Sequence, residues 1–131
     1  MPSGRDSYKA NAVGTASPTV RLVMVIDQLD ASLARAQRGY EQNDLYEIHT
    51  SLINAQAIVA LLRDSLQLDI WDTAADIYRL YEFALDRLVR SNLNKDRTLL
   101  EEAQEVLLPL MDAWRKAAKM VSVDEYATAN G

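Results

Sequence analysis

The sequence predicts an all-α fold, an antiparallel up-down four-helix bundle with a short N-terminal arm or helical turn. Three observations predict it. Apolar residues recur at alternating spacings of three and four in four separate segments, and no strand-like alternation competes with them. The segments are joined by only a few residues each, and short links between long helices force antiparallel neighbours. The chain has 131 residues, which suits one domain with a single core and is too short for two ordinary domains.

The first helix is expected over residues 18 to 38. Ser17 followed by Pro18 reads as an N-cap with proline at the first helical position, and Gly39 reads as the stop. The second is expected over residues 45 to 66 behind an Asp44 cap. Its core stripe is Leu45, Ile48, Leu52, Ala55, Val59, Leu62 and Leu66. The third is expected over residues 71 to 93, capped by Asp69 or Asp72, with the stripe Ala74, Ile77, Tyr81, Ala84 and Leu88. The fourth is expected over residues 97 to 120 behind Asp96, with the stripe Leu100, Ala103, Leu107, Leu110, Met111, Trp114 and Ala118. Pro109 lies inside this last segment. An interior proline removes a donor and clashes one turn back, at a cost of about 3 kcal/mol or more. The helix therefore either kinks there or forms two pieces. The single domain divides into a mobile arm (1–16), the bundle (17–120) and a flexible tail (121–131).

The sides opposite the core stripes carry the functional information. At about 100° per residue, the first helix turns Leu22, Val25, Ile26, Leu29, Leu33 and Ala36 one way. Val20, Val23, Met24, Ala31 and Ala34 fall on the other side. The second helix repeats this, with Tyr46, Ile53, Ala57, Ala60 and Leu61 behind its stripe, mixed with His49 and Thr50. The third and fourth helices are expected to carry polar backs, with Arg79, Asp86, Arg90, Glu101, Glu105 and Asp112. Apolar backs on two helices imply a binding surface, a cover or self-association. Small residues there leave shallow grooves in which an amphipathic helix can lie. The arm carries Tyr8 and Val13, which can cover such a groove. The candidate partner-binding residues are Tyr8, Val13, Val20, Val23, Met24, Tyr46, Ile53, Ala57 and Leu61.

Composition and motifs exclude several function classes. The net charge is -5, and phosphate binding needs a concentrated basic face, so no nucleic-acid partner is expected. With no cysteine, thiolate sites and disulfides are excluded, in keeping with a reducing cytoplasm. The first residues lack the apolar core of a signal peptide. No apolar stretch is expected to reach the length of a membrane span. His49 is the only histidine, so the Glu-x-x-His pairs of di-iron bundles cannot form. The glycines do not make a phosphate loop, and Glu101-Glu102 and Asp124-Glu125 diverge on a helix instead of facing a common site. No catalysis, cofactor, metal or small-molecule substrate is expected.

Tyr8-x4-Val13-x-Thr15-Ala16-Ser17-Pro18, followed by an apolar helix with Asp27, resembles the start of the flagellin export chaperones, the FliS family. Leu80-Tyr81, then Arg87-Leu88-x3-Asn92-x3-Asp96, resembles that family's third long helix and its turn, and Leu107-x6-Trp114 resembles its last helix. The resemblance spans residues 8 to 118. It departs at Ile26-Asp27-Gln28, where the family usually shows aromatic-Asp-Gly. The resemblance implies a cytoplasmic chaperone that binds the disordered C-terminal segment of flagellin and prevents premature polymerisation. It also implies help in delivery to the export gate, and a mobile arm able to occupy part of the binding surface. From the residues alone, a helical adaptor for another amphipathic helix and a self-associating structural bundle both remain open.

Overall fold

A computed structural model describes residues 17–66 and 73–130 of the chain, with side chains described through residue 121. The described residues form four helices, α1 (Pro18–Gln42), α2 (Leu45–Asp64), α3 (Ala74–Asn94) and α4 (Arg97–Asn130), and contain no strand. Each helix packs against two neighbours, α1 on α2, α2 on α3, α3 on α4 and α4 back on α1. This closed ring is a four-helix bundle, as the periodicity and short links predict.

Side chains at the expected positions start three of the helices. Ser17 Oγ accepts from the Val20 N–H at 3.2 Å ahead of Pro18. Asp44 Oδ1 accepts from Glu47 N–H at 3.1 Å. Asp96 Oδ1 accepts from Thr98 N–H at 2.9 Å. Each satisfies one donor that a helix start leaves unpaired. The third helix begins at Ala74 after Thr73, whose side chain makes no capping bond. Its expected caps Asp69 and Asp72 and expected first residue Trp71 lie outside the described residues, as do Tyr8 and Val13 of the arm.

Gly39 does not stop the first helix. The helix continues to Gln42 and ends on Asn43 in the left-handed conformation at φ 52°. Gly39 is buried where α2 begins. A Cβ on it would lie 2.9 Å from Ile48 Cγ1 and 3.0 Å from the Ile48 amide nitrogen. The glycine is there for close approach, not for backbone freedom. Asp44 N–H donates to the Gly39 carbonyl at 2.8 Å and closes the turn. The second helix ends at Asp64, short of Leu66, and the fourth runs past the expected end at Met120 to Asn130.

Pro109 lies within a single helix, so the two-piece alternative is ruled out. Leu107 and Met111 are both buried on either side of it, and the core stripe keeps its register. Pro109 and Glu105 are both exposed, which puts the carbonyl freed by the missing N–H on the solvent side.

The core follows the predicted stripes. Ile26, Leu29, Leu33 and Ala36 of α1 meet Ile48, Leu52, Ala55, Val59 and Leu62 of α2, then Tyr81, Ala84 and Leu88 of α3 and Leu100, Ala103, Leu107 and Met111 of α4. Ile58 joins them, while Leu45, expected inside, is 62% exposed. Leu45 is the first residue of its helix, so the neighbouring turn that would cover it is absent. Among the described residues the polar Ser32, Ser51, Ser91 and Asn92 are also buried. Among the described residues no buried side-chain polar atom lacks a partner.

Gly39→Ala should lower stability. Alanine gains about 1 kcal/mol in helix propensity, but the overpacking against Ile48 costs about 1–3 kcal/mol. A urea titration should show a net loss on the order of 1 kcal/mol, and a rise in midpoint would remove the close-approach explanation.

Candidate functional site

The apolar side of α1 opens towards α4. Thr19, Val20, Val23 and Met24 line a groove of about 400 Å³ together with Arg115, Ala118 and Lys119. Val20 is 47% exposed and Val23 and Met24 are half-buried, so all three contribute to the accessible lining. Further along, Arg115 reaches across to α1. Its guanidinium donates to Asp27 Oδ1 at 2.8 Å and lies 3.5 Å from Asp30 Oδ2. The Asp27 hydrogen bond raises the Arg115 pKa above its ordinary value, and Asp30 adds to the shift. Asp27 thus ties the two walls of the groove together.

The apolar side of α2 faces outwards. Tyr46, Ile53 and Leu61 are 77%, 47% and 58% exposed, and Ala57 is exposed with them. None of these residues lines the α1–α4 groove. The candidate residues among those described therefore occupy two surfaces. Their wheel positions come from sequence, but which neighbour each side meets depends on how the ring closes. The length and composition of α2 are also those of a membrane-crossing helix, contrary to expectation. Much of that apolarity serves the core, through Ile48, Leu52, Ala55, Ile58, Val59 and Leu62, and the rest makes the outer face.

Helices α3 and α4 are less polar outside than expected. Leu80, Phe83 and Leu93 on α3 and Leu108, Met120 and Val121 on α4 are exposed. Arg87 sits over the Phe83 ring at 4.4 Å and pairs with Glu102 at 2.7 Å. The sequence signal was the width of the apolar arc: an arc wider than a bundle seam leaves its edge residues outside.

A second, smaller cavity of about 170 Å³ lies at one end of the bundle, lined by Leu22, Leu62, Ser65, Leu66, Tyr81 and Trp114. Trp114 Nε1 donates to the Tyr81 hydroxyl at 2.9 Å. Nearer the other end, the Tyr40 hydroxyl donates to the Ser91 carbonyl at 3.0 Å and lies 2.7 Å from Ser91 Oγ. Ser91 Oγ donates onward to the Asp96 carbonyl at 2.8 Å, so Tyr40 of α1 pins the α3–α4 turn. Beside it the Asn92 amide lies 3.0 Å from His49 Nδ1 and accepts from Lys95. Asn92 and Asp96, singled out in the sequence, thus act on the turn, and His49 is an exposed residue bonded to it. No cluster of residues fit to hold a metal ion occurs among the described residues.

The model of the family described as "Flagellar protein FliS" matches residues 1–121. The chain belongs to the FliS family. It is similar to the flagellar secretion chaperone FliS of Bacillus subtilis (strain 168), 26% identical over 93% of this chain and 91% of the relative. It is also similar to the FliS of Salmonella typhimurium, 28% identical over 88% of this chain and 87% of the relative. A third relative, the flagellar secretion chaperone FliSB of Pseudomonas aeruginosa, is 31% identical over 63% of this chain and 66% of its own length. As a FliS-family member the chain is a flagellar secretion chaperone and not an enzyme.

The two tyrosines make the fold sensitive to alkali. Burial raises both hydroxyls above their ordinary value of 10.0, although the bonds to Ser91 and Trp114 pull each partly back. The folded protein therefore holds these protons to higher pH than the unfolded chain does. Their contribution is fully present below about pH 10 and is lost as pH rises through the folded values. Denaturation midpoints should fall above pH 10, and Tyr40→Phe combined with Tyr81→Phe should flatten that fall. An unchanged alkaline slope in the double variant would contradict this origin.

Proposed function

We propose that this chain binds the disordered C-terminal segment of flagellin in the cytoplasm. It thereby keeps flagellin from polymerising prematurely and helps deliver it to the flagellar export gate. The observation that carries this reading is the exposed apolar lining of the α1–α4 groove, Val20, Val23 and Met24, on a FliS-family chain. The outer face of α2, with Tyr46, Ile53, Ala57 and Leu61, gives a second apolar surface for the same partner.

The physical task matches such surfaces. A free flagellin terminus is apolar and amphipathic, so it tends to self-associate. Laying it along grooves as helical pieces hides that surface without chemistry or nucleotide. Ordering a disordered segment takes back about 2–5 kcal/mol or more of the gross interaction energy. This keeps the complex reversible enough for hand-over. The arm of residues 1–16 leads into Ser17, next to the groove residues Thr19 and Val20. In this reading Tyr8 and Val13 cover the groove until the partner displaces them.

Titrating the protein with a flagellin C-terminal peptide should give an equimolar complex and new helical signal in circular dichroism. Val23→Asp and Ile53→Asp should each weaken it about tenfold or more, because each places a charge in an apolar contact. Both variants should keep the bundle's helical signal and thermal transition. No complex at micromolar concentrations would reject the reading. Loss of folding in either variant would make that face part of the core.

A further inference from the structure

The α1–α4 groove has an apolar floor and a basic rim. Val20, Val23, Met24 and Ala118 supply the floor, and Arg115 and Lys119 border it from consecutive turns of α4. The chain as a whole carries a net charge of -5, so an uncompensated cation on this rim would stand out against its overall field.

The two cations differ in their partners. Arg115 is held by Asp27 and Asp30, and its neighbour Lys116 pairs with Asp112 at 3.0 Å. Lys119 is exposed and, among the described residues, has no carboxylate within ion-pair distance. Of the cations on the groove, it is the one that the described residues leave for an incoming group. On a helix lying on that floor, residues three or four apart share a face, so an apolar anchor and a charged side chain one turn away can meet the floor and Lys119 together. A carboxylate there gains a charge-assisted contact at the edge of a partly water-excluded surface, and a cation there is repelled.

We propose that the groove selects a helical segment whose apolar anchors are followed, one turn along the same face, by an Asp or Glu side chain that pairs with Lys119. Arg115, already offset by Asp27 and Asp30, adds no free charge and marks the groove's inner limit. This inference rests on the groove being the flagellin-binding surface and names the chemistry by which it reads that partner.

The test uses the full chain and a C-terminal flagellin peptide, with affinity measured by fluorescence anisotropy at about 50 mM and 500 mM salt. Lys119→Glu should weaken binding about five- to tenfold at low salt, and much less at high salt, where exposed pairs are screened. A peptide with the groove-facing carboxylate changed to Lys should lose affinity for the unaltered protein and regain it on Lys119→Glu. Lys119 is exposed, so an unchanged thermal transition should accompany these shifts.

Affinity of Lys119→Glu within twofold of the unaltered protein, or no recovery with the charge-swapped peptide, overturns the proposal and leaves the flagellin reading standing. No binding by the unaltered protein overturns both. If amidating the peptide's C-terminus by itself abolishes the Lys119 dependence, a terminal carboxylate is the ligand and the side-chain assignment is wrong. If light scattering shows a dimer that Lys119→Glu disperses, the groove's occupant is a second copy and the proposal fails.

Discussion

The rest of the bundle depends on the close contact between Gly39 and Ile48. With no side chain at Gly39, α2 starts directly against the last turns of α1. Asn43 and Asp44 then reverse the chain in two residues, one taking the left-handed conformation and the other capping the next helix. This close start fixes the register of α2 along α1. The same register brings Asn54 to Ser32, where the amide donates to the buried hydroxyl. Once α1 and α2 are set, α3 and α4 close the ring on the remaining apolar stripes.

Ion pairs strap the other three seams. Arg63 reaches Glu82 between α2 and α3, Arg87 reaches Glu102 between α3 and α4, and Arg115 reaches Asp27 between α4 and α1. Most of these carboxylates are substantially exposed, so each strap contributes only about 0–1 kcal/mol. Their effect is to favour one alignment of helices over its neighbours. The Tyr40–Ser91–Asp96 relay does more, because Ser91 is buried and losing its partner would leave a desolvated polar group.

This division of labour leaves α1 and α2 with apolar surface that the core does not use. A bundle whose only task was to fold would place polar residues at Val23, Ile53 and Leu61. Retaining apolar side chains there costs solubility, which is reasonable where a partner covers them. A secretion chaperone needs such surfaces and needs no reactive group. Pro109 is tolerated for a related reason: it sits on the exposed side of α4, where water can meet the freed carbonyl.

The sequence by itself determined the class, the helix number, most of the core and three of the caps. Those features are local, set by 3.6-residue periodicity and by side chains that bond to amides two or three residues away. It also determined the family, because Tyr8 to Pro18, the Arg87 to Asp96 turn and Trp114 keep their order over most of the chain. The tertiary structure decided what is non-local. Gly39 looked like a stop because glycine usually ends helices through its backbone, yet here the absent Cβ makes room for Ile48. The wheel placed Val20, Val23 and Met24 opposite the core, but only ring closure showed that they face Arg115, Ala118 and Lys119 and not the outer face of α2. A helical wheel fixes direction about one axis. Which neighbour stands in that direction depends on the packing of all four.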